Sequence, residues 1–111
     1  MTLRTSPKLL QGTLDMLVLK ALMHGPMHGY GIARRIAHLA DDVLTVEEGS
    51  LYPALQRLLL QGWVKAEWGV TAGNRRARYY TLTPDGKKQL RVELSQFERV
   101  MGAISRVIQT A

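Results

Sequence analysis

The chain has 111 residues, which is enough for one hydrophobic core with a short extension but too few for two independent cores. Apolar residues make up 46% of it and charged residues 22%, which is typical of a folded protein and excludes a disordered one. The net charge of +6 predicts a polyanionic partner, with nucleic acid favoured over an anionic membrane surface, and the absence of cysteine excludes disulfides and thiolate metal sites.

The N-terminal segment, residues 1–25, starts basic and then becomes apolar, as a signal peptide does. Gln11, Asp15 and Lys20 interrupt the apolar run, and no small-residue cleavage site follows it. No run in the chain is long enough to span a bilayer. We therefore expect a cytoplasmic protein that does not enter the membrane.

The first two predicted elements are helices. Apolar residues recur at helical spacing over residues 8–23, in a stripe wide enough to be covered on two sides. A second helix is predicted over residues 30–40, with His28 helping to start it. Gly29 and Gly31 are expected to allow a close approach to a neighbouring helix, with Tyr30 placed in the core.

A third helix is predicted to start with Ser50 as its N-cap. Pro53 then lies in the first turn, where its missing N–H has no intrahelical acceptor. At 100° per residue, Leu51, Leu55, Leu58 and Leu59 form the core side. The opposite side carries Ser50, Pro53, Gln56, Arg57 and Gln61, with Tyr52 at the border.

Two strands are predicted next, over residues 63–69 and 77–82, because both segments are rich in aromatic and β-branched residues. Gly73 and Asn74 between them are turn residues, and arginines follow, so a β-hairpin with a basic tip is expected. Three helices followed by a hairpin form the winged helix-turn-helix pattern.

A long last helix is predicted to begin at Thr83 and Pro84. Its apolar residues alternate at spacings of four and three, as in a coiled-coil seam: Leu90, Leu94, Phe97, Met101, Ile104 and Ile108. A helix of about 25 residues is roughly 37 Å long, too long for so small a domain to cover. We therefore expect a homodimer in which this seam packs on a second copy, together with Leu10 and Leu14 of the first helix.

The chain is thus predicted to be mainly α with a small β-hairpin wing. Residues 1–83 form a winged helix-turn-helix DNA-binding domain, and residues 84–111 form a C-terminal dimerisation helix. The candidate contacts to double-stranded DNA lie on the third helix, the wing and nearby basic positions. They are Ser50, Tyr52, Pro53, Gln56, Arg57, Arg34, Lys65, Asn74, Arg75, Arg76 and Arg78. The same residues also allow a plainer interpretation without DNA contacts. The hairpin tip would then be a solvated basic loop, and the third helix a core helix whose outer side faces solvent.

Other kinds of site find little support in the sequence. His24, His28 and His38 have no Asp, Glu or Cys at ligand spacing, so no metal site is predicted. No nucleophile with a base, paired carboxylates or phosphate-binding glycine loop is present, so neither enzymatic activity nor a cofactor is expected.

Four segments together resemble the PadR family of bacterial transcriptional regulators: "HGYGIARRI", "EEGSLYPALQRL", "GWVKAEWG" and "NRRARYYTLTPDG". The resemblance covers about residues 9–90. It implies a homodimeric winged helix protein that binds an operator, usually as a repressor. By the same resemblance, Ser50, Tyr52 and Pro53 match the start of the recognition helix, and Arg76 and Arg78 match the wing.

The resemblance does not extend to every property of the family. Some relatives stack flat drugs on a tryptophan of the C-terminal helix, where the nearest aromatic residue of this chain is Phe97. Drug binding is therefore not carried over. Two alternatives stay open: a dimer that senses a small-molecule effector between its C-terminal helices, with DNA binding as the output, and a protein-interaction or RNA-binding module of the same shape.

Overall fold

The computed structural model describes residues 7–110, and their side chains from residue 12 onward. Its helices are α1 (Pro7–Ala21), α2 (Gly29–Leu39), α3 (Glu48–Leu60) and α4 (Pro84–Gln109), and a 3-10 turn, Leu22–His24, follows α1. Its strands are β1 (Met27–His28), β2 (Val64–Val70) and β3 (Arg76–Leu82). The strands form one antiparallel sheet in the order β1-β3-β2. The predicted fold class, mainly α with a hairpin wing, is confirmed.

The core lies around α1, which packs against all three other helices. The largest fully buried side chains are Leu19, Ile32, Leu51, Leu55, Leu58 and Val18. The sequence predicts Leu14 and Leu90 as dimer contacts, but they are only 5% and 3% exposed within their own subunit. Both therefore serve the subunit core, because the helices of one chain already cover them. Leu10, the other predicted contact on α1, has a side chain outside the described residues.

Helix α3 begins earlier than predicted, which corrects the position of Pro53. Its N-cap is Glu47, and the Leu51 amide donates to the Glu47 carbonyl at 2.9 Å. Ser50 is therefore the third residue of the helix and Pro53 the sixth. The missing N–H of Pro53 leaves the Gly49 carbonyl without its intrahelical donor. Because Gly49 is exposed, water can bind that carbonyl, and the helix continues through the proline.

Thr83 anchors the start of α4, as predicted. Its hydroxyl accepts a hydrogen bond from the Gly86 amide at 3.0 Å and donates one to the Gly62 carbonyl at 2.7 Å. Gly86 is buried so closely against the Trp63 carbonyl that a Cβ there would collide with it. These contacts fix α4 to the segment that joins α3 to the wing.

The far half of α4 carries apolar residues that none of the other described elements covers. The core cluster ends at Leu94, which is partly buried against it. Beyond that point Phe97 and Met101 are 41% and 42% exposed, and Ile104 and Ile108 are exposed as well. Within the described part of the chain, no helix is long and apolar enough to cross a membrane.

Candidate nucleic-acid interface

The wing is the hairpin of β2 and β3. Trp68 pairs directly with Arg78, and Val70 with Arg76, so these four side chains lie on one face of the sheet. At the tip, Asn74 adopts the left-handed conformation with a φ of 62°, as its predicted turn role requires. The Thr71 amide closes the turn by donating to the Arg75 carbonyl at 2.8 Å.

Lys65 does not join the basic face of the wing. It lies three residues before Trp68 on β2, and side chains of a strand alternate between faces, so it points to the other side of the sheet. Lys65 is therefore separate from Arg76 and Arg78, and its predicted contact with DNA stays a prediction.

Trp68 holds the two wing arginines. The guanidinium carbon of Arg76 lies 4.8 Å from the centre of the Trp68 ring, and that of Arg78 lies 6.0 Å from it. The same Arg78 carbon is 5.9 Å from the Tyr80 ring. At exposed sites such cation–π contacts stabilise by about 0.5–1 kcal/mol each. They restrict the arginine rotamers while both side chains stay open to solvent.

This face of the wing forms one wall of an open groove, here called the basic groove. The opposite wall is the start of α2 and α3, with His28, Tyr30 and Tyr52, and the volume is about 700 Å³. Tyr80 also lines the groove, and burial raises the pKa of its phenol, which therefore stays neutral at physiological pH. Arg75, Arg76 and Arg78 contribute the positive charge. The groove thus combines three guanidinium groups with several aromatic rings, a composition suited to a sugar–phosphate strand.

The start of α2 is held in place beside the groove by close contacts. His28 caps α2, since its Nδ1 accepts a hydrogen bond from the Gly31 amide at 2.9 Å, which confirms its predicted role. A Cβ at Gly29 would lie 3.1 Å from the Tyr52 ring, so Gly29 permits the predicted close approach of α2 to α3. Tyr30 was predicted to lie in the core, and this is wrong. Its side chain is 60% exposed and lines the groove.

Helix α3 presents one exposed stripe beside the groove. Tyr52, Pro53, Gln56 and Leu60 are exposed and recur at helical spacing. Gln56 stands in the middle of this stripe, as predicted. Ser50 is only half-buried at the edge of it.

Arg57 is not part of the exposed stripe. Its Nε and one terminal nitrogen donate to the two carboxylate oxygens of Asp15 on α1, at 3.2 and 2.7 Å. The hydrogen bond to Asp15 raises the pKa of Arg57, because it favours the charged guanidinium. The contact with Asp15 uses two of the five N–H donors of Arg57 and fixes the guanidinium towards α1, and the prediction that Arg57 reads a purine stays a prediction.

Arg34 lies beyond Tyr30, on the far side from the wing. It donates to the Tyr30 hydroxyl at 3.2 Å, and its guanidinium carbon is 5.7 Å from the ring centre. Both residues line a second depression of about 240 Å³, next to Tyr52. Arg34 thus extends the positive surface past the two tyrosines. Among the described residues, no cluster of His, Asp and Glu could hold a metal ion.

Sequence reasoning missed Trp68 and Tyr30 as interface residues. A signal for Trp68 was present, since strand alternation places it on the face of the wing arginines once the hairpin register is set. Tyr30 offered no such signal, because an aromatic residue between two glycines at a helix start fits a buried position equally well.

The fold is shared with known regulators. Residues 18–92 match the PadR-like family of transcriptional regulators. A transcriptional regulator from Clostridium thermocellum is 27% identical, with a TM-score of 0.84 over 92% of this chain and 99% of its own. A PadR family transcriptional regulator from Eggerthella lenta is 32% identical, with a TM-score of 0.76 over 94% of this chain and 88% of its own.

The chain is also similar in sequence to a protein of unassigned function. An uncharacterized protein of Lysinibacillus sphaericus is 27% identical over 82 residues, which are 74% of this chain and 75% of that protein. PadR family proteins are DNA-binding regulators and not enzymes. Since the family match spans α2, α3 and the whole wing, the chain belongs to the PadR-like family of transcriptional regulators.

Proposed function

We propose that this regulator is a homodimeric repressor that binds a palindromic operator. The observation that carries the proposal is the basic groove, which brings the arginines of the wing opposite the start of α3. The basic groove can hold the sugar–phosphate backbone that separates the major groove of DNA from the minor groove. Its phosphates then contact the guanidinium groups, while α3 enters the major groove. If the operator overlaps a promoter, the bound dimer blocks transcription from it and acts as a repressor.

In this arrangement the exposed stripe of α3 reads bases and the wing holds the backbone. Gln56 has an amide that can donate to N7 and accept from N6 of adenine. Tyr52 and Pro53 lie nearer to the start of the helix, where a recognition helix meets base edges and phosphates. Asn74 and Arg75 at the wing tip extend the backbone contacts.

The second subunit is proposed to bind along α4. Leu94, Phe97, Met101, Ile104 and Ile108 are apolar, and most of them are exposed in the single chain. Burying such a seam against a second copy removes apolar surface from water, at about 25 cal/mol per Å². A twofold axis through this contact would place two copies of α3 about one helical turn of DNA, roughly 34 Å, apart.

Selection of bound duplexes from a random pool tests the proposal. We expect the recovered sequences to contain an inverted repeat whose half-sites are about 10 base pairs apart, centre to centre. Recovery of a single unrepeated motif would contradict the dimeric operator, and preference for single-stranded RNA would favour the RNA-binding alternative.

Arg76→Ala is expected to weaken binding to every duplex alike. The change removes one phosphate contact per subunit, so the slope of log affinity against log salt should become shallower by about 0.9 per subunit. Fluorescence anisotropy over a salt series measures the slope. Arg99→Ala removes the same charge from an exposed position on α4 and should leave the slope unchanged. Equal slopes for wild type and Arg76→Ala would exclude Arg76 from the phosphate contacts.

Gln56→Ala is expected to relax sequence preference at one base position in each half-site. Loss of a bidentate contact should reduce discrimination there by about 1–3 kcal/mol, while affinity for random duplexes is unchanged. Competition binding with singly substituted operators measures this. Gln61→Ala, at the end of α3, is the matched control. If Gln56→Ala weakened cognate and random duplexes equally, Gln56 would not read a base.

A further inference from the structure

The contact between Arg57 and Asp15 joins the recognition helix to α1. It is the one salt bridge among the described side chains, and it links residues that are 42 positions apart in the sequence. Both carboxylate oxygens are engaged, at 2.7 and 3.2 Å, in the two-pronged geometry that fits guanidinium to carboxylate. Such a geometry fixes the relative orientation of two helices better than a single hydrogen bond does.

The contact is partly buried. The side chains of Arg57 and Asp15 are 34% and 17% exposed. Isolated surface ion pairs contribute little to folding, and a two-pronged Arg–carboxylate contact is the geometry in which such a pair contributes most. Because the geometry also constrains the relative orientation of the two helices, the pair is suited to positioning as well as to stabilising the fold.

The Asp15–Arg57 pair lies where it can position α3 relative to α1 and α4. Arg57 directly follows Gln56 in α3, so its anchor lies one residue from the exposed stripe. Asp15 lies between Leu14 and Met16, which are both buried, so its backbone belongs to the rigid core. Helix α1 in turn packs on α4, the helix that carries the exposed apolar seam.

We propose that the Asp15–Arg57 pair sets the angle of the recognition helix relative to the α1–α4 unit, and thereby the half-site spacing that the dimer accepts. This inference rests on the proposed function. A tilt of α3 changes the distance between the two recognition helices twice over, because both subunits tilt and their helices face opposite half-sites. With the pair intact, a dimer accepts one spacing, and without it each α3 can adjust to neighbouring spacings.

Asp15→Asn tests the inference. The amide keeps the shape of the side chain but offers Arg57 only one acceptor and no charge. The probes are duplexes that carry the two selected half-sites with the central spacer lengthened or shortened by one base pair. Wild type should lose about 5- to 150-fold in affinity on the altered spacers, comparable to one mismatched base pair. Asp15→Asn should lose less than about threefold, while its affinity for a single half-site matches that of wild type.

Two further variants are controls for Asp15→Asn. Asp15→Glu keeps the carboxylate and should restore the preference for one spacing. Asp41→Asn makes the same chemical change at an exposed site between α2 and α3, where the backbone already has a φ of 49° that Asn tolerates, and should behave as wild type. Retention of wild-type spacing preference by Asp15→Asn would overturn the inference. So would unfolding of Asp15→Asn at the assay temperature, since the pair would then be a stabilising contact.

The same experiment separates the inference from the function on which it rests. If wild type binds the paired half-sites no better than a single one, the dimeric operator itself fails, and the inference with it. If wild type distinguishes spacings and Asp15→Asn does so equally, only the positioning role fails.

Discussion

A Met101→Glu variant is expected to be monomeric and to lose the bivalent share of operator binding, which is about 10²- to 10⁴-fold in affinity. Met101 lies in the middle of the seam on α4, where a second α4 would place a like charge close by in apolar surroundings. An unpaired carboxylate buried in such a contact destabilises it strongly. Sedimentation equilibrium measures the mass, and anisotropy titration measures the affinity.

Ala103→Glu is the matched control for this variant. It adds the same charge to the same helix, but two residues further on, about 200° around the helix axis from Met101. The control should remain dimeric and bind DNA nearly as wild type. Because the core cluster ends at Leu94, both variants should keep the fold of the winged domain. A dimeric Met101→Glu protein would show that the seam is not the dimer contact.

Gly86→Ala is expected to have the largest effect on folding. The new Cβ would collide with the Trp63 carbonyl and lie 2.8 Å from a methyl group of Leu82. A carbonyl of the main chain cannot rotate away as a flexible side chain can, so α4 must shift. Forcing extra volume into such a contact typically costs about 1–3 kcal/mol, even though alanine favours a helix.

Gly102→Ala gives the opposite sign and serves as the control. Gly102 lies in the same helix, and the nearest atom to its added Cβ would be the tip of Arg106 at 3.7 Å. There alanine should stabilise by about 1 kcal/mol. Thermal unfolding at a fixed protein concentration compares the variants, and a shift of about 4 °C or more per kcal/mol is expected for a domain of this size. A Gly86→Ala protein as stable as wild type would mean that α4 can move without cost.

Local signals explain why most elements were predictable. The hairpin follows from aromatic strand residues on either side of Gly73 and Asn74, and α4 from the Thr83 cap and its apolar spacing. These signals act over a few residues, so they are visible without the fold. The two-residue strand β1 was missed because it is too short for any alternation, and it exists only through its pairing with β3.

The errors at the candidate site have two origins, one local and one between distant parts of the chain. Ser50 is a better N-cap than Glu47 by local chemistry, yet α3 starts at Glu48, whose carboxylate favours the positive end of the helix. Arg57 looked exposed by its angle on the helix, and only the packing of α1 brings Asp15 within reach. The residue spacing within α3 carries no information about a partner such as Asp15 on another helix.

The sheet order has a consequence for solubility. Because β1 covers one side of β3, β2 is the long strand at the edge of the sheet that the described residues form. The edge strand of a sheet is where another chain can add by backbone pairing. Lys65 and Glu67 stand exposed on that strand, and charges on an edge oppose strand-to-strand aggregation. Lys65, which faces away from the basic groove, is thus one of two charges that this strand carries where edge pairing would occur.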